Sequence, residues 1–202
     1  YQALSSLTTA NGNTGIGSKA LKVNESGANN TAVGADALIA NTTGSSNVAV
    51  GVVALDANTT GSSNTAVGKS AATAITTGSY NVAIGQNALE TATTVDSNVA
   101  VGYAALATNA AANNVAIGRN ALTANTTGTP NIGIGYGAAN SVTTGAHNVC
   151  IGNEAGQAIT TASQTTCIGN SAGYAASAAL ESLFVGYAAG VAVTTADDST
   201  LL

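Results

Sequence analysis

Glycine returns on a fixed beat in this chain: Gly17, Gly34, Gly51, Gly68, Gly85, Gly102, Gly118, Gly135, Gly152, Gly169 and Gly186 stand 17 residues apart, with one step of 16 into Gly118. A short strict period restricts a chain to repeat architectures, in which each unit is stacked on the one before. Each unit reads approximately Asn-(Val/Thr)-Ala-(Val/Ile)-Gly-x-x-Ala-(Leu/Ala/Gly)-x-x-x-Thr-Thr-Gly-Ser-x. The frame reaches both ends, with Tyr1 in the slot after a glycine and Leu202 in the slot before one. The expectation is therefore one elongated array over residues 1–202, uncapped at either end and part of a longer fibre.

A unit of this length is too short for a helical pair of ~34 residues and suits one turn of a solenoid whose strands lie coil on coil. The expected fold is all-β, a parallel β-solenoid or β-roll of about twelve 17-residue coils. Asn47 to Val50 (Asn, Val, Ala, Val) and its copies alternate large and small side chains, the period of a strand with two different faces. The residue before the glycine is aliphatic throughout, from Ile16, Val33 and Val50 to Ile168, Val185 and Leu202, and reads as core. Three residues after the glycine every unit has alanine, from Ala3 and Ala20 to Ala172 and Ala189, which reads as a close approach of two backbones.

Four and seven residues after the glycine, side-chain sizes trade against each other. Leu21, Leu38, Leu55, Leu106 and Leu122 are followed by Asn24, Asn41, Asn58, Asn109 and Asn125, whereas Ala72, Ala139, Gly156 and Gly190 are followed by Ile75, Val142, Ile159 and Val193. One pocket per coil filled from either of two positions explains the exchange, because a void or an overfilled coil each costs ~1 kcal/mol or more. Leu4 with Leu7, Leu89 with Ala92 and Gly173 with Ala176 depart from it. Asparagine stands four residues before the glycine in nine of twelve units, Asn13 to Asn148, and Thr165, Ser182 and Ser199 replace it in the last three. Stacked amides hydrogen-bonding along a ladder give that column a structural reason.

Composition narrows the function. Only 6% of residues are charged, and four basic residues against nine acidic ones, with a pI of about 4.4, leave no positive surface for nucleic acid or an anionic membrane. No stretch approaches the ~20 apolar residues of a membrane helix. Tyr1 to Leu7 lacks the basic start and apolar run of a signal peptide, which places any targeting segment outside this chain.

Catalysis requires convergent titratable groups, and few depart from the repeat. His147, the single histidine, sits in the variable column of Ser46, Ser63, Tyr80, Pro130 and Glu181, where a solvated turn residue is expected. Cys150 and Cys167 replace alanine in adjacent coils, ~5 Å apart by ladder spacing, which leaves open free buried thiols, a disulfide, or a zinc site with His147 short of its fourth ligand. Asp36, Asp56, Glu90, Glu154 and Glu181 fall in different coils or columns and read as isolated solvated charges. No glycine-rich phosphate cradle is present. Neither an enzyme, a cofactor nor a metal site is expected.

The paired threonines, such as Thr42-Thr43, Thr59-Thr60, Thr76-Thr77 and Thr126-Thr127, occur in nine of twelve units and form the one competing surface. A stacked threonine face could order water, as in ice-binding solenoids. Adjacent residues on an extended chain point to opposite sides, so each pair offers one outward column. Glu25-Ser26, Ala110-Ala111 and Ser177-Ala178 interrupt that column. Asn24, Asn41, Asn58 and Asn125, with Asn29, also begin Asn-x-(Ser/Thr) sequons, for which the turn-forming role is preferred to glycosylation.

The string Asn-Val-Ala-Ile-Gly at residues 81–85 and 114–118, with its near copies along the whole chain, resembles the head repeats of YadA-like trimeric autotransporter adhesins and similar repeats of phage tail fibres. The unit here is longer than those head repeats by its Thr-Thr-Gly segment. The resemblance implies a left-handed β-roll, association of three chains, and a surface that binds host ligands or spaces a binding tip. The expected function is a structural rod of an extracellular fibre, from a phage tail fibre or a bacterial surface adhesin or filament. Its partners would be further copies in a homotrimer or filament and a host-surface receptor or glycan, with ice binding as the alternative. Chains are expected to meet at the Ala/Gly face, or that face lines the inside of a thin single coil.

Overall fold

The computed structural model describes residues 2–5, 10–195 and 198–202. The chain is an all-β parallel solenoid of short strands: β1 (Thr14–Ile16), β2 (Thr31–Val33), β3 (Val48–Val50), β4 (Thr65–Val67), β5 (Val82–Ile84), β6 (Val99–Val101), β7 (Val115–Ile117), β8 (Asn131–Ile134), β9 (Asn148–Ile151), β10 (Thr166–Ile168), β11 (Leu183–Val185) and β12 (Thr200–Leu201). The coils gather into two compact units, residues 1–100 and 101–202, built from the same coil. In the first, β1 to β5 pair in chain order, and in the second, β7 to β12 do. Register follows the sequence period: Val48, Ala49 and Val50 of β3 face Thr65, Ala66 and Val67 of β4.

Each strand from β1 to β11 is followed directly by the periodic glycine. Gly34 has φ 138° and Gly51 φ 143°, and a Cβ on Gly34 would overlap the carbonyl oxygen of Gly51 one coil on. Glycine is needed there for its backbone angle and for the contact between coils. Two and four residues later the chain enters the left-handed region, as at Asp36 (φ 58°) and Leu38 (φ 50°). A leucine in that conformation costs roughly 1–2 kcal/mol. The cost is offset because the turn drives the side chains of Leu38 and Leu55 fully into the coil, and burying a leucine is worth about 1.5–3 kcal/mol.

The core is narrower than the sequence suggested, and its strand face is the opposite one. Ala32, Ala49, Ala66 and Ala83, two residues before the glycine, are completely buried. The aliphatic residues directly before the glycine point outward: Ile84, Ile117, Ile151 and Ile168 are 37–40% exposed and Ile16 59%. The expectation that this column is core is therefore corrected. Where a leucine from the turn already fills the coil, as Leu38 and Leu55 do, the inner strand face has room only for alanine, and the β-branched residues stand on the outer face. The alanines three after the glycine, Ala20, Ala37, Ala54 and their successors through Ala172, are also fully buried. They line the inside of a single coil, so the Ala/Gly face is not a surface on which chains could meet.

The exchange between the fourth and seventh positions is a shared cavity. A Cβ on Gly156 would stand 2.7 Å from Cδ1 of Ile159, so the glycine vacates the space that the isoleucine fills. A third position also fills it. A Cβ on Gly133 would lie 3.0 Å from Cγ of Leu122, and one on Gly173 would lie 3.0 Å from Cδ2 of Phe184. The departure at Gly173 and Ala176 is thus compensated by Phe184 and Cys167 entering from the strand. Leu89 with Ala92 is accompanied by buried Val95, which stands where other coils have Gly27, Gly44, Gly61 and Gly78. Leu7 lies outside the described residues.

Candidate functional site

Polar side chains inside the coil are spent on joining one coil to the next. In the column four before the glycine, the N–H of Asn47 donates to Oδ1 of Asn30 (2.9 Å), and Nδ2 of Asn47 donates to the carbonyl of Gly61 (2.8 Å). Asn64, Asn81, Asn131 and Asn148 repeat both bonds, and Thr165 takes over with its hydroxyl on the carbonyl of Ala179 (2.9 Å). A second ladder runs through the seventh position. Nδ2 of Asn41 donates to Oδ1 of Asn24 (2.6 Å), Asn58 to Asn41 (2.8 Å) and, in the second unit, Asn125 to Asn109 (2.7 Å). This ladder ends where the next coil substitutes Ile75 or Val142, which leaves Oδ1 of Asn58 and of Asn125 buried without a donor. Asn24, Asn41, Asn58 and Asn125 are fully buried, which closes their sequons in the folded chain, while Asn29 is exposed.

The threonine pairs divide as the alternation of an extended chain requires. In the pairs that begin at Thr42, Thr59, Thr76, Thr126, Thr143 and Thr160 the first hydroxyl donates to a carbonyl one coil on, as from Thr42 to Thr59 (3.1 Å), Thr59 to Thr76 (3.1 Å) and Thr143 to Thr160 (3.1 Å). The second is exposed: Thr43, Thr60, Thr77 and Thr94 in one unit, Thr127, Thr144 and Thr161 in the other.

Cys150 and Cys167 are register partners in β9 and β10, both buried and both free thiols. Hydrogen bonding to Cys167 first, then burial and the charge of the neighbouring thiolate, pushes the Cys150 thiol well above its ordinary value. His147 is an exposed turn residue with φ 61° whose N–H donates to the carbonyl of Pro130 (2.6 Å). Two carboxylates are less isolated than expected. Asp56 accepts from Oγ1 of Thr73 (2.6 Å), and Asp36 lies 3.7 Å from Nζ of Lys19 in a half-exposed pair worth little. Among the described residues no pocket opens, no group of three or more His, Cys, Asp or Glu side chains could hold a metal, and no helix is long and apolar enough to cross a membrane.

Two surfaces escaped sequence reasoning. One is the outer strand face, Val48/Val50 and Val82/Ile84 in the first unit and Val115/Ile117, Ile132/Ile134 and Val149/Ile151 in the second, uncharged and partly exposed on every rung. Its invariance was visible, but invariance alone does not say which way a side chain points. The other is Arg119, whose guanidinium carbon lies 5.6 Å from the ring centroid of Tyr103 and 5.9 Å from that of Tyr136. Its signal was the column after the glycine, which varies freely from coil to coil. No family model, curated protein or solved structure matches the chain.

Proposed function

We propose that the chain is a structural rod of an extracellular fibre, in the manner of a phage tail fibre or a bacterial surface adhesin or filament, that associates with further copies of itself. The observation that supports this most is the buried asparagine ladder, in which backbone and side-chain hydrogen bonds tie each coil to the next and the pattern extends by simple repetition. Buried and fully partnered amides resist separation of coils, because opening one interface strands several of them at about 1–3 kcal/mol each. The outer strand face is the contact offered to a second copy. Its β-branched rungs carry no charge, and removing apolar area from water yields roughly 25 cal/mol per Å². Light scattering on the parent should give a multiple of the 19.3 kDa chain mass. Val50→Lys with Ile84→Lys should return it to one chain; a monomeric parent would end this part of the reading.

A second reading retains one supporting observation, the exposed second threonines on successive rungs, which would suit an ice-binding surface. The rod predicts no thermal hysteresis in the parent protein. Ice binding predicts hysteresis that Thr60→Tyr with Thr77→Tyr abolishes while the fold is kept.

A further inference from the structure

Columns that hold the coil together repeat their residue types, whereas the position directly after the glycine holds Ser18, Ala35, Val52, Lys69 and Gln86 in the first unit. The coil therefore makes no demand on this position. In the second unit the same column reads Tyr103, Arg119, Tyr136, Asn153, Asn170 and Tyr187, all exposed. Arg119 is the single lysine or arginine among residues 101–202 and the single arginine of the chain. Its guanidinium rests between two tyrosine rings, and among the described residues it has neither a carboxylate partner nor a side-chain hydrogen bond.

Two flanking rings hold a guanidinium by attraction to their faces and leave its N–H edge, a planar fork of donors, facing water. That fork matches a carboxylate bidentately. We propose that this column is a glycan track along the coil axis, with Arg119 receiving the carboxylate of one acidic sugar. The tyrosines give neighbouring sugar rings an apolar body and a hydroxyl handle. The side-chain amides of Asn153 and Asn170 face the sugar hydroxyls. A single cation among residues 101–202, in a chain of net charge −5, selects a ligand with one anionic group among neutral hydroxyls, and disfavours densely charged polyanions and acidic peptides. Rungs ~4.8 Å apart place the two tyrosines about 10 Å from each other across Arg119, a span on the scale of a disaccharide.

This deepens the fibre reading by naming its surface ligand and rests on that reading only for where such a ligand would be met. The test uses the whole chain and sialyllactose, a trisaccharide with one carboxylate, alongside its methyl ester. Because the chain has one arginine, its Nε–H gives one unambiguous signal in nitrogen-edited NMR. Sialyllactose should shift that signal saturably in the millimolar range, and the ester should need at least tenfold more. Saturation transfer to the sugar should fall at least tenfold in Arg119→Gln and several-fold in Tyr136→Ala, with circular dichroism unchanged. Added salt should weaken binding. An unmoved Nε–H signal, equal response to the ester, or undiminished transfer in Arg119→Gln would overturn the site. Each of these leaves the association and hysteresis tests of the rod untouched.

Discussion

At the scale of residues, the coil is governed by conservation of volume and of hydrogen bonds in one small interior. Leu55 and Asn58 show the coupling. Leu55→Ala alone opens a cavity and should cost ~2–4 kcal/mol. Adding Asn58→Ile refills it, and the amide ladder then ends at Asn41, with one orphaned oxygen as before. In chemical denaturation the double variant should be more stable than the sum of the single losses; strict additivity would mean that the two positions do not share a cavity. Cys150 adds a pH dependence whose sign is fixed. A thiol with a raised native pKa binds its proton more tightly in the folded state, so its stabilisation is complete below the ordinary thiol range and is lost as pH climbs towards the native value. Melting temperature should fall on that alkaline limb, and less steeply in Cys150→Ala than in the parent. The exchange of leucine for asparagine and isoleucine was legible in the sequence because size alone revealed it. The part played by Phe184 was not, since it enters from another segment of the coil.

At the scale of the strand, alternation was readable but its direction was not. A three-residue strand presents one residue inward and two outward, and here the inward one is the smallest. Sequence logic assigns large aliphatics to the core, which holds when the core is thick. In this coil the leucines reach the interior from left-handed turn positions, leaving the strand to contribute alanine. Two substitutions separate the alternatives. Ile84→Lys should change the stability of the single chain by no more than about 0.5 kcal/mol, as surface changes do. Ala49→Leu should cost ~1–3 kcal/mol or prevent folding, because the inner face has no volume to give. The reverse ranking, measured by thermal unfolding of both variants under conditions that hold them monomeric, would restore the aliphatic column to the core.

At the scale of the molecule, the period announced the fold: one coil, repeated, with parallel register set by the glycine beat. The asparagine column four before the glycine was legible as a ladder, because stacking explains an amide in nine of twelve units; the second ladder, through Asn24, Asn41 and Asn58, was not, since size had assigned that column to packing. The surface was not legible in the same way. An outward aliphatic column and an inward one look alike in a list of residues, and Arg119 gains its meaning only from the tyrosines on either side of it. The claim that carries the whole account is that each coil lies in parallel register on the next within its unit, and inter-strand distances measured by NMR on the parent chain in solution test it most directly. Contacts of Ala49 with Ala66 in the first unit and of Cys150 with Cys167 in the second, at the ~4.8 Å rung spacing, are predicted; antiparallel contacts between neighbouring strands, or none between residues 17 apart, would contradict it.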